Sequence, residues 1–253
     1  MASVAQTENI DVGRVVQRGF SAIGRNAAGF LLMAVVFAGL PNFAMNYVLA
    51  ANLPTIAGNP FDGSYWGTYA GLLLLTVFAG YLLQATVVRM VILDLSGRRP
   101  DLGGSLVAAL ALVLPMIGLA IVSGIGIMLG LMLLIVPGVI LYVMWIVAVP
   151  ILVEERRGVF GSLSRSSELT RGSRWQIFGL VVLFIIFSFV ISAVFGLLNI
   201  GDPFQSPELF ALSSAVVAVI SGLVMAAMLA SLYFELRTVK EGATSDSLAA
   251  IFE

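Results

Sequence analysis

The sequence predicts an all-α fold: a polytopic transmembrane bundle of six spans, with an N-terminal amphipathic interfacial helix and a short cytoplasmic helix before the fifth span. Three observations predict it. The chain has 253 residues, of which 60% are hydrophobic and 11% charged, whereas soluble domains run at roughly 45–50% and about 25%. The apolar residues gather in long runs separated by short polar segments. When those runs are threaded back and forth, every basic residue falls on one side, as the positive-inside rule requires.

Composition also excludes function classes. The net charge is −1, so no basic balance points to nucleic acid. The chain has no cysteine, which rules out disulfides, thiolate catalysis and cysteine–metal sites. It has no histidine, the commonest general base and metal ligand. The expectation is a protein that is not an enzyme and uses neither cofactor nor metal. Glu8, Asp11, Arg14, Arg18 and Arg25 make the N-terminal stretch too long and too charged for a signal-peptide n-region. The first apolar run is therefore expected to be an uncleaved helix, although Ala50-Ala51 mimics a cleavage site.

The elements follow in order. Asp11, Arg14, Arg18, Ser21 and Arg25 recur at intervals of three and four, with Val12, Val15, Val16, Phe20 and Ile23 on the other side. That pattern predicts an amphipathic helix lying flat on the membrane surface. A span needs about 20 apolar residues. The first runs from Ala28 to Ala51 and leads into a turn-rich loop, and the second runs from Trp66 to about Leu93. Gly97 stops the second span and Pro100 prevents its continuation. From Leu102 to Val153 no residue is charged. This stretch is too long for one span and must fold back as a hairpin. Ser123-Gly124-Ile-Gly126 is the favoured turn, and Val136-Pro137-Gly138 is the alternative, either as turn or as kink. Ser173 and Gln176 form a capping box that opens the fifth span, Trp175 to about Leu198. Ser206-Pro207-Glu208 starts the sixth, Leu209 to about Phe234. Residues 1–27 thus form a cytoplasmic N-terminus, 28–235 the membrane domain, and 236–253 a polar cytoplasmic tail expected to be partly disordered.

Both termini are expected in the cytoplasm of a bacterium, with the chain multi-pass in the inner membrane. Arg14, Arg18, Arg25, Arg98, Arg99, Arg156, Arg157, Arg165, Arg171, Arg174, Arg237 and Lys240 share one face, and Arg89 lies near it. The opposite face has Asp62, Asp202 and Glu208. Tyr47, Tyr65, Trp66 and Tyr69 are placed at the outer interface, and Trp175 and Tyr233 at the inner one.

Four constellations stand out. Ser214, Ala218, Gly222, Ala226 and Ala230 form a small-residue ridge, and Gly63, Gly67 and Gly71 repeat that spacing. Both fit close packing inside one bundle or between copies of the chain. Arg89 either snorkels to pair with Asp94 or faces a polar cavity or lipid phosphate with Glu154. Arg165, Glu168 and Arg171 are spaced to pair along a short helix ended by Gly172. With Arg14, Arg18, Arg25 and Arg174 they make a lipid- or partner-binding candidate face. Gly124-x-Gly126-x-x-x-Gly130 lacks the strand and spacing of a nucleotide loop.

At these segments the sequence resembles a known group. Leu-Leu-Ile-Val-Pro-Gly-Val-Ile (133–140), Pro150-x-x-x-Glu154, Arg157-Gly-Val-x-x-Ser-Leu-x-Arg-Ser-x-x-Leu-Thr-x-Gly172 and Tyr233-x-Glu-Leu-Arg-x-x-Lys-Glu-Gly242 look like the uncharacterised YciC-like membrane proteins. These are related to the membrane domain of some glycerophosphoryl diester phosphodiesterases. The resemblance implies a six-helix membrane domain and supplies no mechanism. The hydrolase domain of some relatives uses histidines and metal-binding acids, which this chain lacks, so hydrolysis does not carry over.

The expected function is non-enzymatic: lipid binding, with anionic lipids as candidates, or support of a membrane-protein partner or a second copy of the chain. A small transporter is the alternative, resting on the glycine- and proline-interrupted third and fourth spans. A lipid-modifying enzyme using Glu154, Glu155 and Asp94 ranks last.

Overall fold

The computed structural model describes residues 10–59, 63–197 and 203–242, and among these every regular element is helical. Helix α1 spans Val12–Arg25, with Asp11 accepting the Arg14 backbone N–H at 3.1 Å as its cap. The first span joins α2, Ala27–Ala34, to α3, Leu40–Ala51, through a π turn at Val35–Gly39. Pro41 explains the turn: it has no N–H to give Phe37, and the helix widens just before it. A short α4, Leu53–Gly58, follows. The second span is α5, Gly63–Leu95. Its C-terminus is a Schellman motif: Arg98 N–H donates to Leu93 O at 2.9 Å, Gly97 N–H to Asp94 O at 3.1 Å, and Gly97 has φ +74°.

The uncharged stretch begins with a short α6, Leu102–Leu110, capped by Asp101. It continues as the hairpin of α7, Val113–Leu133, with α8, Ile135–Trp145, and α9, Ala148–Glu155. The turn lies at the extended Leu134, not at Ser123–Gly126, where α7 is unbroken. Prolines mark the breaks. Pro115, Pro137 and Pro150 are each the third residue of their helix, in the first turn, where a missing N–H has no partner to lose. The glycines are packing sites instead. A Cβ at Gly126 would sit 2.6 Å from the Trp145 ring, and one at Gly130 would sit 2.9 Å from Gly138 Cα. The hairpin closes only because both are bare.

Helix α10, Gly158–Leu169, folds back on α9 through Arg156, whose φ of 49° is left-handed. The fifth span is α11, Arg174–Leu197, beginning directly after Ser173. The sixth is α12, Pro207–Glu241, whose cap residue Ser206 makes no side-chain bond. α12 continues seven residues past Phe234, so residues 236–241 are helix; the tail beyond Gly242 lies outside the described residues.

Among the described residues, six helical segments are long and apolar enough to cross a membrane. α12 is the hub, with 56% of its most apolar window buried, against 11% for α11. Along α12, Leu223, Ala227, Leu232 and Leu236 pack on Val87, Val88 and Met90 of α5 and Val15 and Ala22 of α1 within one core. Leu114, Phe189 and Leu197 are among the large apolar side chains left exposed. In water such an array would aggregate; against acyl chains it needs no cover.

Candidate functional site

Both chain-terminal helices and the loops after α5 and α9 converge on one end of the bundle, here the basic face. Arg14, Arg18, Arg25, Arg157, Arg165 and Arg237 are spent on internal ion pairs. Glu235 of α12 is fully buried. Arg18 donates to its Oε2, and Arg14 lies 3.0 Å from Oε1 as an ion pair without hydrogen-bond alignment. Arg18 also stacks over Phe234, 5.3 Å from the ring centroid. Arg25 clamps Asp94 through both Nε and Nη2, and Asn26 adds a third donor at 3.3 Å. The bond to Asp94 holds the Arg25 guanidinium above its ordinary pKa.

A second network ties α9 and α10 to the end of α12. Glu155 accepts the Tyr233 hydroxyl at 3.0 Å and pairs with Arg157 at 2.7 Å and Arg165 at 3.5 Å. Arg165 also pairs with Glu168 at 3.1 Å and with Glu241, which Arg237 meets at 2.9 Å. Beneath it, the Ser166 hydroxyl donates to Met144 O at 2.7 Å; the Thr170 hydroxyl donates to Ser166 O at 2.9 Å and stands 3.4 Å from Met144 O. Met144 is the last-but-one residue of α8, and at the break before α9 its carbonyl lacks the Ala148 N–H that an unbroken helix would give it. Ser166 of α10 replaces that donor, with Thr170 one turn on.

The candidate site lies between these networks. Arg89, Ser96, Arg98 and Glu154, with Ile92 and Leu93, line a cleft of about 130 Å³. Glu154 Oε1 and Ser96 Oγ are buried there without hydrogen-bond partners. A cavity for one water needs about 10–15 Å³, so the cleft has room for a polar group of several atoms. A carboxylate and a hydroxyl buried without partners beside guanidinium groups at the end of apolar spans are costly unless something satisfies them.

Two other cavities matter. One of about 410 Å³ lies in the half of the bundle away from the basic face, between α3, α11 and α12. Asn42, Asn46, Ser192, Ser213, Ser214 and Ser221 give it a neutral polar lining. Asn46 donates to Asn42 Oδ1 at 2.8 Å, while Ser221 Oγ is buried without a partner. The other is an apolar groove between α8 and α11, with Arg174 and Trp175 at its edge.

The sequence-derived candidates therefore separate. Arg89 and Glu154 come together, as one of the two readings expected. Asp94 goes to Arg25, so the local Arg89–Asp94 pair does not form. Arg14, Arg18, Arg25 and Arg165 are held by carboxylates rather than left for headgroups. Arg171 makes no ion pair with Glu168; its carbonyl instead accepts from Lys240. Arg174 borders the apolar groove. α1 rests on protein, with Val15 and Ala22 fully buried, and Phe20 turns outward at 48% exposure. Tyr233 is buried and bonded, so it belongs to no aromatic belt; Tyr65, Trp66 and Tyr69 do cluster, and Trp175 is exposed. Of the α12 ridge, Ala226 and Ala230 are buried and Gly222 admits Leu83 and Ala38, whereas Ser214 and Ala218 line the polar cavity. A Cβ at Gly67 or Gly71 would meet nothing within 4 Å among the described residues, so the close helix approach expected there is not made within the described part of the chain. Glu154 and Glu155 both lie within electrostatic reach of Tyr233, whereas Asp94 is held apart by Arg25. Sequence reasoning missed Glu235; an acid closing an apolar run, with arginines four apart on another helix, was the available signal.

Six apolar spans among the described residues, the sixth of them the hub of the bundle, closed at one end by an ionic collar, define a multi-pass membrane protein. Residues 115–239, just under half of the chain, match the family described as the membrane domain of glycerophosphoryl diester phosphodiesterase, and the chain is related to that domain. The match begins inside α7 and covers the last four spans. The likeness to YciC-like proteins rests on the quoted residues alone. No curated protein and no solved structure matches the chain.

Proposed function

We propose that the chain is a non-enzymatic bacterial inner-membrane protein that binds a phosphate-bearing lipid headgroup at its basic face and supports a partner membrane protein. The basic face is cytoplasmic in this reading. One observation carries it: the Arg89–Arg98–Glu154 cleft, with buried polar atoms lacking partners, at the end of the second and fourth spans. Guanidinium groups bind phosphate through paired, charge-assisted hydrogen bonds. Arg156 and Arg171 are exposed and make no ion pair among the described residues, so they can attract a charged leaflet. The supporting role draws on the relation to a membrane domain named for its phosphodiesterase.

Native mass spectrometry of the full chain, purified gently with its lipids, tests the headgroup half. A bound phospholipid should be retained and should be lost on Arg89→Gln but not on Arg99→Gln. Equal retention by the two variants would overturn the reading.

A small transporter is the second reading, favoured by the neutral polar cavity between the first, fifth and sixth spans. The support has moved from where the sequence placed it. The glycines and prolines of the third and fourth spans close a packed hairpin, whereas the polar lining lies elsewhere.

A further inference from the structure

The composition of the cleft points to a narrower ligand than any phosphate. We infer that it selects a zwitterionic phospholipid headgroup, a phosphate carrying a primary ammonium, over a purely anionic one. This deepens the lipid-binding reading and rests on it.

Arg89 and Arg98 supply two guanidinium groups to the lining, and Glu154 supplies one carboxylate. A purely anionic headgroup would meet the arginines and also sit beside that carboxylate. Glu154 Oε1, buried and without a donor, would meet at best a neutral hydroxyl, such as one from the glycerol of phosphatidylglycerol, and no compensating positive charge. A buried acceptor left in that state is destabilising, more so when charged. A primary ammonium carries three N–H donors and no acceptor, which is what Glu154 lacks. Ser96 Oγ, also buried without a partner, can donate to a phosphate oxygen. Ile92 and Leu93 provide apolar wall where the headgroup joins its glycerol and acyl chains. Neighbouring Glu155 cannot substitute for Glu154, because Tyr233, Arg157 and Arg165 already hold it. A quaternary ammonium has the same charge but no N–H, and it is bulkier, so it fits less well.

The test is native mass spectrometry of the full chain with added phosphatidylethanolamine, phosphatidylglycerol or phosphatidylcholine of identical acyl chains. Phosphatidylethanolamine should be preferred over the other two by about tenfold, the equivalent of one charge-assisted hydrogen bond. Glu154→Gln should erase that preference, while Arg89→Gln should weaken all three lipids. Both variants are checked for an unchanged melting profile in detergent, with Arg99→Gln as a neutral control. A wild-type preference for phosphatidylglycerol, or a preference that survives Glu154→Gln, overturns the zwitterion inference and leaves lipid binding intact. Retention of every lipid unaffected by Arg89→Gln overturns both.

Discussion

Removing Arg14 and Arg18 together would strand the Glu235 carboxylate, which has no contact with water. An uncompensated buried charge costs about 3–5 kcal/mol. Glu235→Gln removes the charge while leaving the arginines, which are partly exposed, free to turn to solvent. The double variant Arg14→Ala/Arg18→Ala should therefore be destabilised more than Glu235→Gln, by about 2 kcal/mol or more. Adding Glu235→Gln to the double variant should recover part of the loss. Thermal unfolding in detergent would show it; equal losses would mean that α1 is held by apolar packing alone. The neighbouring Arg25–Asp94 clamp adds no pH sensitivity from its arginine. A guanidinium raised above its ordinary pKa contributes stability that persists below that value and is lost only as pH climbs through the raised one.

At the scale of elements, the break between α8 and α9 shows what the sequence could reveal and what it could not. Helix existence was legible throughout, because apolar runs of this length have no other solution in a bilayer. The place of the hairpin turn was misread, since glycines were given the weight that belongs to prolines. Inside a membrane helix a bare Gly126 costs little and admits the Trp145 ring; Pro137 dictates where a helix begins. The Ser166 and Thr170 hydroxyls were visible as a motif, but their acceptor, Met144 O, sits more than 20 residues away and cannot be read from local spacing. Ser166 is the near donor to that carbonyl, and Thr170, bonded to Ser166 O, stands by at 3.4 Å and can turn to it when Ser166 is lost. Ser166→Ala should therefore be mild and Thr170→Val milder, whereas the double variant, which leaves the carbonyl with neither hydroxyl, should cost about 1–3 kcal/mol and exceed the sum of the singles. Simple additivity would remove the kink-capping role from α10.

At the scale of the whole molecule, charge segregation read from sequence and helix ends gathered in space agree on two faces. The basic face was legible because all the arginines share it. Of the pairing within it, the local Arg165–Glu168 pair was legible; the rest was not, because Glu235 and Asp94 meet their arginines, and Glu155 meets Tyr233 and Arg165, across elements. Which face meets the cytoplasm is a separate question, and the absence of cysteine makes it answerable with single-cysteine variants. On intact cells a membrane-impermeant maleimide should label Asn59→Cys and not Arg99→Cys, with Arg99→Cys labelled once the cells are opened. The reverse pattern would put the arginine collar outside and withdraw the cytoplasmic-headgroup reading. The same reagent separates the two functional readings at the polar cavity. Ser221 lies on the hub helix, lining that cavity opposite Asn42 and Asn46, with its hydroxyl unpartnered. A water-filled solute path would let Ser221→Cys react from the Asn59 side. A cavity occupied by acyl chain would leave it unlabelled, because a thiol in hydrocarbon does not ionise to the reactive thiolate. Labelling at Ser221 would shift the weight from a lipid-binding domain toward a transporter built on the first, fifth and sixth spans.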